Sequence, residues 1–190
     1  MQEKPYHHGD LKKALIENGL DIINENGIEN LSLRKTAERC GVSSAAPYAH
    51  FKSKEDLINS IRDHVMELFM EALKTGMDGA DSENVLCELG KAYVLFFFRS
   101  PLYFDLLFSR NNMKIRVSEK GKSEPPFELF RDTAERILGN MGLEKTDIEN
   151  KILAMWGMVH GLAAASVSEG LDTDIDWEKR TGDIINSLRF

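Results

Sequence analysis

The chain has 190 residues, of which 42% are hydrophobic and 29% charged, a composition that excludes intrinsic disorder and suits an ordinary globular protein. At roughly 150 residues per domain it makes one large domain or two small ones, and it buries about 70% of its unfolded surface without a metal or disulfide to hold it. The net charge is −7, and the two cysteines, Cys40 and Cys87, lie far apart, so a disulfide framework and a zinc ribbon are excluded and a reducing cytoplasm is expected.

At the N-terminus, Met-Gln-Glu-Lys-Pro-Tyr-His-His is polar and shows no signal-peptide apolar stretch. Asp10 is placed to cap a helix running to Asn26, with Leu11, Leu15, Ile22 and Ile23 on one stripe and Gly27 as its stop. Ser32 is placed to cap a second, short helix over Leu33–Cys40, closed by Gly41. A third is expected from Ser43 or Ser44 to near Phe51. Ser53, with Asp56 three residues on, opens a fourth from Lys54 to about Lys74. Gly76–Asp81 reads as a break, and apolar helical patterning resumes over Asn84–Arg99. The longest unbroken apolar run, Ala92–Phe98, has only seven residues, far short of a membrane span. Pro101 starts another helical piece through Phe108. Asn111–Pro126, with Gly121 and the Pro125-Pro126 pair, reads as a long mobile loop. Further helices are expected at about Phe127–Asn140, Asp147–Glu169 and Asp176–Leu188. No alternating strand run, repeat or low-complexity tract interrupts this pattern. The expected class is all-α.

Leu33–Phe51 carries the strongest functional signal. Two short helices flank the turn Gly41-Val42-Ser43, and Ala37 lies four residues before the glycine, where crossing helices approach closely. Gly41 permits the positive φ that a tight turn demands, and Val42 would plug the angle between the helices. This is helix-turn-helix spacing, in which the second helix is presented to the DNA major groove, although any αα-corner shares it. Charge agrees with a DNA-facing end. Residues 1–55 are neutral, but Leu31–Lys54 holds Arg34, Lys35, Arg39, Lys52 and Lys54 against Glu38 alone, an excess of four. A solvated helix face produces the same count.

The run Gly41–Leu57 (Gly-Val-Ser-Ser-Ala-Ala-Pro-Tyr-Ala-His-Phe-Lys-Ser-Lys-Glu-Asp-Leu) resembles the signature of the tetracycline-repressor (TetR) family of bacterial transcription regulators. Asn26-Gly27, Leu31–Lys35 and Ala37–Arg39 are similar to that family's first two helices, so the resemblance covers about residues 9–69. It departs at Thr36, where isoleucine or valine is usual, and at Pro47, where leucine is common. Pro47 falls at N3 if Ser44 is the cap and at N4 if Ser43 is, tolerable in a first turn either way. The resemblance implies that Ser43, Ser44, Ala45 and Ala46 open the recognition helix, where the alanines offer only apolar contact, as to thymine methyls. It likewise implies phosphate contacts from Tyr48, His50 and Lys54, and contacts from Ser32 and Arg34 on the second helix. The alternative readings are Tyr48 and Phe51 as core side chains, His50 as a packed histidine and Lys54 as a solvated charge. Tyr6–Leu11 resembles the N-terminal arm of one branch of the family. The pair His7-His8 lacks a third ligand at useful spacing, so no metal and no cofactor are expected.

In the second half, Trp156-Gly157-Met158-Val159-His160-Gly161-Leu162 resembles the Trp…His-Gly motif of the WHG-type C-terminal domain of TetR-like regulators, and Ser100–Phe108 its proline-led aromatic helix. That resemblance covers roughly residues 85–188 and implies a regulatory and dimerisation domain. Gly157, Gly161 and Ala165 recur every four residues as a smooth helix face, and Ile184, Ile185 and Leu188 stripe the last helix. The resemblance implies a two-fold dimer built on those two helices. Phe97, Tyr103, Phe104, Phe108, Met113, Phe127, Phe130, Met155, Trp156 and His160 are candidate lining for an effector pocket, or else simply core. No G-x-S-x-G elbow, phosphate-cradling glycine loop or H-E-x-x-H is present, so catalysis is not expected. The expected function is a cytoplasmic, nucleoid-bound homodimeric regulator. It would act as a repressor, leaving a near-palindromic operator when a small apolar or aromatic effector binds. The alternative is a helical ligand- or partner-binding protein whose DNA-reading head no longer functions.

Overall fold

The computed structural model describes residues 11–108, 114–171 and 173–187. Among them are eight α-helices and no strand: α1 (Leu11–Asn26), α2 (Leu33–Arg39), α3 (Lys54–Met77), α4 (Val85–Arg99), α5 (Pro101–Phe108), α6 (Pro125–Leu138), α7 (Lys145–Val167) and α8 (Trp177–Ser187). The fold is all-α. It divides into two compact units, Met1–Met66 and Glu67–Phe190, and α3 contributes to both. No helix among the described residues is long and apolar enough to cross a membrane.

The first unit is a small helical head. Leu11, Leu15, Leu20, Ile22 and Ile23 form the buried stripe of α1, and Leu57, Ile58, Ile61 and Val65 that of α3. A Cβ placed on Gly19 would lie 2.8 Å from Ile61 Cδ1, so the glycine lets α1 and α3 close together. Arg39 on α2 makes paired bonds of 2.7 and 2.6 Å to the Glu25 carboxylate on α1, tying these helices on the surface. The start of α3 is doubly capped. Ser53 Oγ accepts from the Asp56 N–H at 3.2 Å, and the Asp56 carboxylate accepts from the Lys52 N–H at 2.9 Å.

In the second unit α4 is the hub, packed by α5, α6, α7 and α8. At Gly90 a Cβ would sit 3.1 Å from Val159 of α7 and 3.2 Å from Ile185 of α8, so both helices close on α4 there. Phe69, Tyr93, Phe97, Phe127 and Trp156 fill the centre, with ring centroids about 5 Å apart in tilted or edge-on pairs, the geometry that aromatic quadrupoles favour.

Three expectations need correction. The helix expected from Ser43 or Ser44 to Phe51 is a single 3-10 turn, Ala46–Ala49, with Ala45 at its N-cap and neither serine capping. Pro47 is the cause. It has no N–H to give Ser43, and Tyr48 N–H bonds instead to the Ala45 carbonyl at 3.2 Å, three residues back. Second, Pro125 and Pro126 are not loop but the first turn of α6, where a missing N–H costs nothing. Third, residues 114–124 are a tethered connection rather than a loose loop. Glu128 accepts from the Gly121 and Ser123 N–H groups at 2.9 and 2.7 Å, and the fully buried Arg131 donates to the carbonyls of Arg116 and Glu119.

Candidate functional site

The turn between α2 and the 3-10 turn is built from local rules. Ser32 sits at the N-cap of α2 with extended backbone, and its Oγ accepts from the Lys35 N–H at 3.2 Å. Thr36 is fully buried, and its hydroxyl donates to the Ser32 carbonyl at 2.9 Å. The polar side chain is therefore satisfied inside the core by its own helix. At the other end Gly41 has φ +70°, the Val42 N–H bonds to the Ala37 carbonyl at 3.0 Å, and the Gly41 N–H to that of Glu38 at 3.1 Å. This is a Schellman stop, which needs a left-handed residue at the glycine position. Ala37 itself is fully buried.

What this corner exposes is mostly polar or aromatic, with Ala45 among it. Arg34, Ser43, Ser44, Ala45, His50 and Lys54 are exposed, and Ser32 and Ala46 are half-buried. Tyr48 is 63% exposed, which a tyrosine needed by the core would not be. Two of these side chains already have work in the fold: the Ser32 hydroxyl as cap, and the Lys54 ammonium, which donates to the Glu29 carbonyl at 3.1 Å. Arg39 is spent on Glu25, whose carboxyl its hydrogen bonds hold below the usual range. The basic excess that remains rests on Arg34, Lys35, Lys52 and Lys54.

In the second unit the candidate pocket residues divide by burial. Phe97, Phe127, Phe130, Met155 and Trp156 are buried, whereas Tyr103, Phe104, Phe108 and His160 are half-buried. Met113 lies outside the described residues. His160 is the polar member of this cluster. Its ring centroid lies 5.2 Å from Phe104 and 5.0 Å from Phe108, and the ring stacks at 12° on Trp156. The Tyr93 hydroxyl lies 2.8 Å from His160 Nδ1, and Tyr93 is only 2% exposed. If Nδ1 carried the proton, the buried phenol hydrogen would have no acceptor among the described residues, a loss of about 1–3 kcal/mol. Tyr93 therefore donates, and His160 is the Nε2–H tautomer. Burial pushes the Tyr93 phenol well up, so it stays protonated, and pushes the His160 imidazole down. Phe130 and Met155 also line a cavity of about 630 Å³ with Met158 and Val159. A further cavity of about 660 Å³ lies between α3 and α4, floored by Leu68, Ala72, Leu95 and Phe96, none of which stands in a sequence motif.

The smooth face of α7 points outward. Gly157 and Gly161 are exposed, and a Cβ at either would meet nothing within 4 Å. Leu153, one turn earlier, is 50% exposed, although its spacing alone does not separate it from core leucines. Ala165 and Ile184 are half-buried, Ile185 is buried against Gly90 of its own unit, and Leu188 lies outside the described residues.

Two family models match this architecture. "Bacterial regulatory proteins, tetR family" matches residues 15–61, and "Tetracyclin repressor-like, C-terminal domain" matches residues 86–185, just over half of the chain. The chain belongs to the TetR family of bacterial regulatory proteins. Among curated relatives, this TetR-family chain is 35% identical over 57 residues to the class C tetracycline repressor protein of Escherichia coli, covering 30% of the chain and 26% of that repressor. To an HTH-type transcriptional regulator of Staphylococcus aureus (strain USA300) it is 23% identical over 111 residues, covering 58% of the chain and 60% of that protein. The chain thus matches less than two thirds of either relative's length. Among solved structures, a Rhodococcus protein of unknown function shares the fold with a TM-score of 0.78 at 21% identity, covering 97% of this chain and 96% of that one. A single-substitution variant of TetR from Acinetobacter baumannii, in complex with minocycline, has a TM-score of 0.60 at 20% identity, with 97% and 94% coverage.

The Tyr93–His160 pair gives this TetR-family chain a pH signature. The folded-state imidazole titrates below its unfolded value of about 6.5. Its contribution to stability is therefore complete above that value and is lost as pH falls through it toward the folded value, because the unfolded state takes up the proton first. The urea midpoint of the wild-type chain is expected to fall more between pH 7.5 and 5 than that of His160→Phe. Parallel pH profiles would show that the imidazole is not held neutral.

Proposed function

We propose that the chain is a homodimeric, DNA-binding transcriptional repressor of the cytoplasm. Its head reads a near-palindromic operator, and a small apolar or aromatic effector binding the second unit releases it. The observation that carries this reading is the corner itself. A Ser32-capped helix and a Schellman stop at Gly41 present Tyr48 at 63% exposure, with no side-chain hydrogen bond to another described residue. Tyr48, His50 and Arg34 would grip phosphates or a guanine edge, while Ser43, Ser44, Ala45 and Ala46 face the bases with few polar groups. Lys54, held at the Glu29 carbonyl, would reach phosphate as an anchored cation. Such a head specifies weakly through base edges and leans on backbone contact and DNA shape.

The dimer would form on the outward face of α7. Two glycines inside a helix cost about 1 kcal/mol each relative to alanine, and a Cβ on either would meet nothing within 4 Å among the described residues. A second copy crossing at Gly157 and Gly161, with Leu153 and Ala165 beside them, accounts for that cost. Half-sites would then lie about 34–36 Å apart or somewhat more. That an Acinetobacter TetR of this fold is found in complex with minocycline supports a small-molecule effector, and in this chain the half-buried Phe104, Phe108 and His160 would receive it. Effector would lower operator affinity only through a difference in its affinity for the two head spacings.

The second reading, a ligand- or partner-binding protein with a silent head, is favoured by the one-turn recognition element and its two alanines. Equilibrium binding to the DNA flanking the chain's own gene separates the two. Tyr48→Phe and Arg34→Ala are each expected to weaken binding about tenfold or more, the cost of a hydrogen bond to a charged group. Their unfolding midpoints should stay at the wild-type value, as exposed substitutions leave stability within about 0.5 kcal/mol. Full retention of binding by both variants would move the DNA contact elsewhere, and no binding by the folded wild-type chain would establish the second reading.

A further inference from the structure

His160 is more than a packed histidine. Tyr93 occupies its Nδ1 at 2.8 Å, which leaves the Nε2–H as a donor of fixed position. Among the described residues that donor has no acceptor, and the residue is half-buried rather than sealed in the core. Around it stand the half-buried rings of Phe104 and Phe108, centroids 5.2 and 5.0 Å away, with Trp156 stacked behind. A single oriented donor set in a wall of aromatic rings is the arrangement that selects a flat ligand by one acceptor atom. An acceptor-free ligand of the same shape would strip water from the Nε2–H and give nothing back.

We propose that His160 Nε2–H is the specificity-determining donor of the second unit, and that its ligands are flat conjugated molecules carrying a carbonyl-type oxygen. Tyr93 is a positioning residue, holding the imidazole in the donating tautomer. The inference rests on the reading of the second unit as an effector-binding unit, but its test needs no DNA.

The matched probes are 9-fluorenone and fluorene, equal in shape and differing in the carbonyl. Binding to the full-length chain is followed by tryptophan fluorescence, and the His160 ring nitrogens by histidine-selective ¹⁵N NMR. The wild-type chain is expected to prefer 9-fluorenone by about tenfold, the worth of one hydrogen bond, with the Nε2 resonance moving on binding. His160→Phe keeps an aromatic ring, removes the donor, and should bind both probes alike. His160→Gln, which keeps an N–H near the Nε2 position, should regain part of the preference. Tyr93→Phe should reduce the preference and let the Nδ1–H tautomer appear. Equal binding of the two probes by the wild-type chain, failure to bind 9-fluorenone, or an Nδ1–H tautomer in the ligand-free wild-type protein would overturn the proposal. A chain that discriminates the probes but never binds DNA would keep this inference and discard the repressor reading.

Discussion

Gly161→Arg is expected to convert the proposed dimer into a folded monomer and to cost at least about 100-fold in affinity for a two-half-site operator. A monomer keeps only one head on the DNA, and the gain from tethering two heads, commonly about 10²–10⁴-fold, is lost. The substitution is informative because the single chain has room for it. A Cβ at Gly161 meets nothing within 4 Å, and the position is exposed, so the arginine side chain extends into solvent in the monomer. Against a second copy the same side chain occupies the space that the glycine left open. Light scattering and the urea midpoint, measured together, separate association from folding. Gly161→Ala sharpens the comparison, since in an unpartnered helix it adds about 1 kcal/mol of stability. A Gly161→Arg chain that remains dimeric would place the interface on another face.

Arg131→Ala carries the largest expected loss of stability, about 3–5 kcal/mol, the cost of breaking a buried charge network from one side. Arg131 is fully buried on α6, where it pairs with Glu128 and Asp132 and donates to the carbonyls of Arg116 and Glu119. Burial alone would push the Glu128 carboxyl up. The N–H groups of Gly121 and Ser123 and the guanidinium outweigh it, and the carboxyl is held down at about 2. Removing the arginine leaves a carboxylate with two backbone donors and no counter-charge, takes one of three donors from the Arg116 carbonyl and leaves the Glu119 carbonyl without its guanidinium donor. Hydrogen exchange is expected to rise at Gly121 and Ser123 first, because their N–H groups depend on that carboxylate. A loss below about 1 kcal/mol with unchanged exchange would show that the tether contributes little.

Local chemistry made much of this fold legible. Ser32 and Gly41 announce the limits of α2, because an N-cap hydroxyl and a left-handed stop are backbone demands that few residues meet. Pro47 was visible, but its consequence was not: the α-helical turn around it survives only as a 3-10 turn, since one missing N–H shifts the bonding of its neighbours. Arg131 escaped because apolar periodicity cannot mark a charged residue that is buried by its partners. Those partners, the carbonyls of Arg116 and Glu119, come from an irregular segment without a spacing rule. The aromatic cluster was legible in composition and not in role. Phe97 and Phe104 are both phenylalanines on neighbouring helices, yet one is sealed in the core and the other half-open beside His160. For the same reason Ile185 read as an interface residue, although α8 turns it onto Gly90 of its own chain.

The central claim is that the head of this TetR-family chain grips duplex DNA. The most direct measurement is the equilibrium affinity of the purified full-length chain for the DNA flanking its own gene, taken as a function of salt. The account predicts a specific complex whose affinity falls steeply and linearly in log–log form as salt rises. The slope should be shallower by about one unit after Arg34→Ala, as expected when one cation is removed from a phosphate. A folded dimer that binds neither that DNA nor any sequence selected from a random duplex pool at low salt would contradict it.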